Sequence, residues 1–264
     1  MLRAVRFAAQ LGFTIEKETE KAVHKLAPTL EKISRERIQA ELNKLLLSIH
    51  PEYICKVYQT ELSKFALPDT ETFLKEKVQK KAVRILKSIP ANPILRWAGF
   101  LSFCTEAEHF GEIILKGLKF DNHTIEYVSK LVKYLPQEAE PEEVKIRFAL
   151  HEMGEEIYLL YLVLKKEELK AEREEAEETM QPYWRNKLKL LEETESLSRM
   201  ILNRGDCISL KMLTVTGKDL IAEGIPAGKK LGRILNELLY LVLENPTKNN
   251  RDYLLTYAKK QIIK

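Results

Sequence analysis

The sequence predicts an all-α fold, and three observations lead there. Glu, Lys and Leu are abundant, while Gly and Pro number only 10 each in 264 residues. That composition favours helix and leaves few of the residues that punctuate sheets. Apolar residues recur at three- and four-residue steps through most of the chain. The prolines fall mainly between those periodic stretches, as in Leu67-Pro68-Asp69, Ile89-Pro90, Asn92-Pro93 and Leu135-Pro136, where they end one helix and admit the next. With 45% apolar and 31% charged residues, the chain can bury a core, as one large domain or about two to three small ones.

Residues 1–50 read as three helices. In the first, Leu2, Val5, Ala8, Ala9 and Gly12 recur at helical spacing, with Arg3 and Arg6 one turn apart on another face. Leu11-Gly12-Phe13 is a stop signal: Gly12 is free to turn left-handed, and Phe13 is expected to fold back as the hydrophobic contact. The second helix starts after Glu16, whose charge suits a positive helix end, and finishes near Leu26-Ala27-Pro28. Ser34 is expected to cap the third, which buries Ile38, Leu42, Leu45 and Leu46. Residues 51–180 form a further helical region. Its highly charged stretch at 165–178 reads as a solvated helix or linker laced with ion pairs. Residues 187–264 form the last block, with a long apolar-periodic helix at 232–244.

Several function classes find no support. Cys55, Cys104 and Cys207 are far apart and odd in number, with no metal or disulfide spacing, so a reducing cytoplasm is expected. The longest apolar run, 157–164, is far short of a bilayer span, and no membrane partner is expected. There is no nucleophile elbow, no Cys–His signature and no phosphate-binding P-loop. His24, His50, His109, His123 and His151 stand at no recognisable ligand spacing and read as surface or helix-end residues.

Charge points to the tail. The net charge is +4, but residues 202–264 alone hold eleven Lys/Arg against six acids. Within that block, Thr216-Gly217-Lys218-Asp219 opens one short helix, and Gly224-Ile225-Pro226-Ala227-Gly228-Lys229 turns into a longer one. A glycine turn at a helix start offers free N–H groups and the positive end of a dipole, and a following lysine adds charge. This suits a phosphate of an RNA backbone, read without regard to sequence. The competing reading is a packing corner. Lys218, Gly228, Lys229, Lys230 and Arg233 are the candidate contacts. Tyr183-Trp184-Arg185, beside Lys187 and Lys189, is either a platform for unpaired bases or a core anchor.

The order of residues adds a resemblance. LRAVRFAAQLGF at 2–13 and ISRERIQAELNKLL at 33–46 resemble the neck of bacterial tRNA nucleotidyltransferases, the CCA-adding and poly(A) polymerase family. Residues 215–246 resemble its tail series Gly-Lys-Asp-Leu, Pro-Gly-Lys, Gly-x-Ile-Leu-Asn-x-Leu-Leu, with Ala227 as an extra residue between Pro and Gly. Residues 96–135 resemble the metal-binding HD region of clostridial-type members. Here, however, Ser102 and Phe103 stand where the His-Asp pair would be, and Leu135 where a later His would be.

The resemblance implies an elongated multi-helix array: a neck (1–50), a degenerate HD-like body (51–180) and a basic tail (187–264). It implies that the body and tail hold the acceptor stem and T arm of tRNA, while a nucleotidyltransferase head domain adds C, C and A from CTP and ATP with Mg2+. The family's head motifs, Gly-Gly-x-Val-Arg-Asp and Asp-x-Asp, do not occur in this sequence. The chain by itself is therefore expected to be inactive, with no catalytic residue, metal site or cofactor of its own. Ser34, Arg37 and Glu41 match the family's Ser-x-x-Arg-Ile-x-x-Glu motif, which implies a brace for the nucleotide-selecting helix by capping and ion pairs. Arg3 and Arg6 either face the head's cleft or bound RNA, or are ordinary solvated cations. The alternative functions are an HD-type phosphohydrolase, which the lost His-Asp pair argues against, and a helical protein-interaction module.

Overall fold

A computed structural model describes residues 1–103 and 107–260, with the backbone alone for 107–110. The described residues form helices without any strand. In chain order these are α1 (Leu2–Leu11), α2 (Lys17–Leu26), α3 (Arg35–Leu46), α4 (Ile54–Gln59), α5 (Ser63–Ala66), α6 (Glu76–Ser88), α7 (Pro93–Leu101), α8 (Ala107–Gly117), α9 (Asn122–Tyr134), α10 (Glu143–Met153), α11 (Glu155–Glu175), α12 (Gln181–Arg204), α13 (Gly217–Ala222), α14 (Lys229–Glu244) and α15 (Arg251–Lys260). No described helix is long and apolar enough to cross a membrane. Contacts divide the chain into two compact units, one of residues 1–138 and 159–188, the other of 139–158 and 189–264.

In the first unit, α1 packs on α3. Leu2, Val5, Ala8 and Ala9 meet a face of Ile38, Leu42, Leu45 and Leu46, and every one of these residues is buried. The paired alanines let the two helices lie close. Gly12 ends α1 in the left-handed region (φ 71°) and donates its N–H to the Ala8 carbonyl, a conformation that costs glycine little. Phe13 does not fold back as expected. It is 63% exposed, and its carbonyl accepts a hydrogen bond from the Tyr53 hydroxyl at 2.8 Å.

The body of this unit is built around stacked aromatics. The Tyr58 and Phe73 rings lie 4.6 Å apart, Phe73 and Phe100 5.2 Å, and Trp97 and Phe120 5.0 Å, within the range of favourable aromatic pairs. Trp97 Nε1 donates to Asn43 Oδ1 at 3.0 Å, joining α7 to α3. Arg96 is buried and donates to the carbonyls of Leu46, Ile89 and Pro90 at 2.9–3.1 Å. These are the carbonyls left over where α3 and α6 end, so one guanidinium serves two helix C-termini.

The charged stretch at 165–178 departs from its expectation. Its larger part is the last turns of α11 and is not simply solvated: Leu169 and Ala171 are buried, Glu172 pairs with Lys81, and Glu174 pairs with Arg84 of α6. Lys165 is buried as well, with its ammonium on the Leu135 carbonyl at 2.8 Å and on Glu168 at 2.9 Å. Long aliphatic stems let such residues lie along a packed face while their charged ends find partners.

In the second unit, α14 is the central element. Ile234, Leu238, Leu239, Val242 and Leu243 are buried among Val215, Leu220, Ile225, Leu254 and Ala258. Each such side chain contributes about 1.5–3 kcal/mol, which fixes the helix firmly. The C-terminus of α14 is closed by Arg147. This buried guanidinium donates to the carbonyls of Leu243 (2.6 Å) and Glu244 (3.2 Å) and pairs with Asp206 at 3.2 Å.

Candidate nucleic-acid interface

The tail candidates sit on the helix starts that the glycine turns predict, but the two starts differ. At α13, Thr216 caps the helix: its hydroxyl accepts from the Asp219 N–H, and the Asp219 carboxylate accepts from the Thr216 N–H at 2.7 Å. Arg251 donates to the other Asp219 oxygen at 2.6 Å. These bonds hold the Asp219 carboxyl well below the usual carboxylate range, with the Arg251 contact the largest cause. Gly217 serves packing, since a Cβ there would touch Leu231 Cδ2 at 3.4 Å. The Asp219 N–H at the start of α13 is therefore capped by a side chain, and Lys218 projects from that start, exposed.

The start of α14 is different. Gly228 caps it with φ 122° and offers no side chain, and its first turn contains no acid. The N–H groups of Lys229, Lys230 and Leu231 thus lack the intrahelical partners that later residues have. Lys229, Lys230 and Arg233 are exposed. Cations at a helix N-terminus oppose the macrodipole, at a typical cost of about 0.3–1 kcal/mol each. A stability argument would place acids there.

Pairing sharpens the contrast. In the tail, Arg204 pairs with Asp206 and Glu143, Arg251 with Asp219, and Lys259 with Glu223. Lys218, Lys229, Lys230 and Arg233 form no ion pair or hydrogen bond among the described residues. The side chains of Lys211, Lys248 and Lys260 form none either, so unpaired charge runs along the tail. Lys229, Lys230 and Arg233 are the part of it that stands in the first two turns of α14, where the backbone amides are free.

In the neck, Arg6 does not lie on a solvated face. It is 7% exposed, with Nε on Glu41 Oε2 at 2.6 Å, a second bond to Gln10, and its guanidinium 3.8 Å from the centre of the Phe7 ring. Glu41 on α3 thus holds α1 through Arg6. Ser34 occupies the N-cap position of α3 but makes no capping bond through its hydroxyl. The Arg37 N–H, which a capping hydroxyl would take, is donated to the Ser34 carbonyl at 3.1 Å. Arg3 and Arg37 are exposed and, with Glu41, line a groove of about 530 Å³ beside the start of α1.

The remaining candidates resolve as follows. Ser102 donates its hydroxyl to the Ala98 carbonyl, the Lys81 ammonium lies 5.4 Å from the centre of the Phe103 ring, and Leu135 is buried. Among the described residues no group of three His, Cys, Asp or Glu is placed to hold a metal ion. His50 bonds Glu52, His123 stacks on Tyr127, and His151 Nδ1 meets the Ile208 carbonyl. The side chain of His109 and all of Cys104 lie outside the described residues. Tyr183 and Trp184 pack edge to face rather than in a core, with Tyr183 45% exposed. Sequence reasoning missed Arg96, Arg147 and Lys165, the buried cations at helix C-termini. Their signal was weak: Arg96 is a lone basic residue in an apolar helical stretch, while Arg147 and Lys165 have other charged residues close by in sequence and look like part of a solvated face.

Comparison with known proteins places this geometry in a family. Residues 12–74 match the family described as "Probable RNA and SrmB- binding site of polymerase A". Residues 91–258 match the family described as "tRNA nucleotidyltransferase domain 2 putative". The CCA-adding enzyme of Enterococcus faecalis is 29% identical over 99% of this chain and 58% of its own length. That of Lactiplantibacillus plantarum is 28% identical over 98% of this chain and 58% of its own. The crystal structure of the Bacillus stearothermophilus CCA-adding enzyme in complex with CTP superposes with a TM-score of 0.73 at 22% identity, covering 100% of this chain and 61% of that one. The chain thus spans somewhat more than half the length of these relatives. With both family matches and the all-helical architecture in agreement, this chain belongs to the tRNA nucleotidyltransferase family.

Proposed function

We propose that this chain holds tRNA for CCA addition, gripping the acceptor stem and T arm through their phosphates while a nucleotidyltransferase head domain performs the chemistry. The observation that carries this reading is the uncapped start of α14, where free backbone amides and the exposed, unpaired Lys218, Lys229, Lys230 and Arg233 coincide. Amides and cations together bind phosphate without reading bases, and RNA helices are recognised largely by shape and backbone. The match of residues 12–74 to an RNA-binding family adds support from the neck side.

The Arg6–Glu41 pair clamps α1 onto α3, leaving Arg3 and Arg37 at the rim of the neck groove. In this reading the groove faces the head, and the clamp keeps the nucleotide-selecting elements rigid. CTP, ATP and Mg2+ belong to that head, and none of the residues described here is assigned a step on them.

The test is competition binding of labelled tRNA by this chain, against a mini-helix of the acceptor and T arms and against an unrelated RNA duplex of equal length. The mini-helix is expected to compete nearly as well as tRNA, and the unrelated duplex at least tenfold less well. Equal competition by both would refute the reading and leave a basic helical module without tRNA preference.

A further inference from the structure

We infer that the exposed face of α14 also carries a stacking site for an unpaired nucleobase, formed by Tyr240. The inference rests on the tRNA-holding role proposed above and extends it from phosphate contact to base contact. Lys229, Arg233, Asn236 and Tyr240 follow one another at four-, three- and four-residue steps and are all exposed, so they form one stripe along the helix. Tyr240 lies two turns beyond Arg233, about 10 Å along the axis.

Three observations distinguish this tyrosine from an ordinary surface aromatic. It is 50% exposed, yet its ring packs against Phe148 at 5.7 Å, tilted by 49°, and against His151 at 6.2 Å, edge to face. His151 is itself fixed by its Nδ1 contact with the Ile208 carbonyl at 3.0 Å. The half-exposed ring is therefore held in a set orientation by two neighbours, which lowers the entropy lost when something stacks on it. Next, Gly232 lies on this same exposed side with nothing within 4 Å of where a Cβ would stand. A glycine inside a helix costs about 1 kcal/mol relative to alanine, and no contact within the chain requires one here. It leaves the backbone bare beside the cations, as close approach by a ligand demands.

Charge completes the choice of occupant. The stripe begins at the unpaired cations, with Glu237 its one flanking acid before the exposed Glu244 at the far end. A polyanion with accessible bases fits cations followed by an aromatic, because phosphates meet the first and a base stacks on the second. In an RNA stem-loop, the unpaired bases of the loop are the ones free to splay out and stack.

The experiment uses the full chain with two RNA probes: a hairpin copying the acceptor and T arms, and the same stem as a blunt duplex without a loop. Tyr240→Ala is expected to weaken hairpin binding roughly tenfold. Tyr240→Phe is expected to bind as the parent does, and neither change should affect the blunt duplex. Unchanged hairpin binding by Tyr240→Ala, or an equal loss for both RNAs, overturns the proposal.

A second readout needs no variant. With 2-aminopurine placed in turn at each loop position, binding should quench emission at one or two positions; no change at any of them overturns the proposal. The broader reading is tested separately by Lys229→Glu. If Lys229→Glu weakens binding and Tyr240→Ala does not, only the stacking site fails. If neither weakens it, the tail reading fails as well.

Discussion

Reversing the charge at the start of α14 tests the phosphate grip quantitatively. Lys218, Lys229, Lys230 and Arg233 are the exposed cations without an intramolecular acid around that helix start. Each phosphate neutralised contributes about 0.7–0.9 to the slope of log affinity against log salt. Four contacts therefore give a slope of about −3, and affinity should fall roughly 100-fold between 50 and 200 mM KCl. The double variant Lys229→Glu/Arg233→Glu removes two of the four contacts and should reduce the slope to about −1.5. Lys259→Gln is the control: Lys259 already spends its charge on Glu223 at 2.7 Å, so its slope should stay near that of the parent. Fluorescence anisotropy with labelled tRNA across the salt series measures all three. A slope unchanged in the double variant, or an equal fall in the Lys259 control, would refute the argument that unpaired cations at a bare helix end form the contact.

Two further outcomes follow from buried charges. Arg96→Met keeps the aliphatic stem but withdraws the donors from the Leu46, Ile89 and Pro90 carbonyls. Stranded buried acceptors should cost about 3 kcal/mol or more in total, lowering the melting temperature by roughly 6–12 °C. A calorimetric shift below about 1 °C would mean that those carbonyls find water instead. Asp206, held by Arg204 and Arg147, has its carboxyl lowered from 3.8, chiefly by the Arg204 hydrogen bond. Its contribution is therefore fully present above that value and is lost as the pH falls towards the lower folded-state pKa. Melting temperatures across pH 7 to 3 should hold and then drop below about pH 4. Asp206→Asn should be less stable at pH 7 and should show a smaller drop. An equally steep acid loss in that variant would assign the effect to other carboxylates.

The parts of this fold that could be read in the sequence are those governed by local rules. The apolar spacing of Leu2, Val5, Ala8 and Ala9, the left-handed Gly12 and the buried stripe of α3 all depend on residues within a few positions of one another. The structure has them where periodicity places them. What depends on distant partners was not readable. Arg6 looks like a surface cation until Glu41, 35 residues away, takes its guanidinium. The stretch at 165–178 looks solvated until Lys81 and Arg84 arrive from 91 and 90 residues earlier in the chain. Ser34 shows the opposite error: a strong local cap signal that went unused because the backbone supplied the bond itself. In the tail, the glycine turns marked both helix starts. Only the structure separates the capped start of α13 from the bare start of α14.

The unequal ends of α14 have a consequence for how this chain tolerates change. One end is closed by the buried guanidinium of Arg147, while the other presents free amides beneath like-charged side chains. Mutations that place an acid in that first turn would make the isolated chain more stable, by about 0.3–1 kcal/mol each, and, on the reading proposed above, would repel the phosphate. A search for thermostable variants would therefore drift toward Glu at 229 or 230, and the proposed phosphate contact predicts that RNA affinity would fall as robustness rose. RNA, by contrast, should raise the melting temperature by supplying the anion that end lacks.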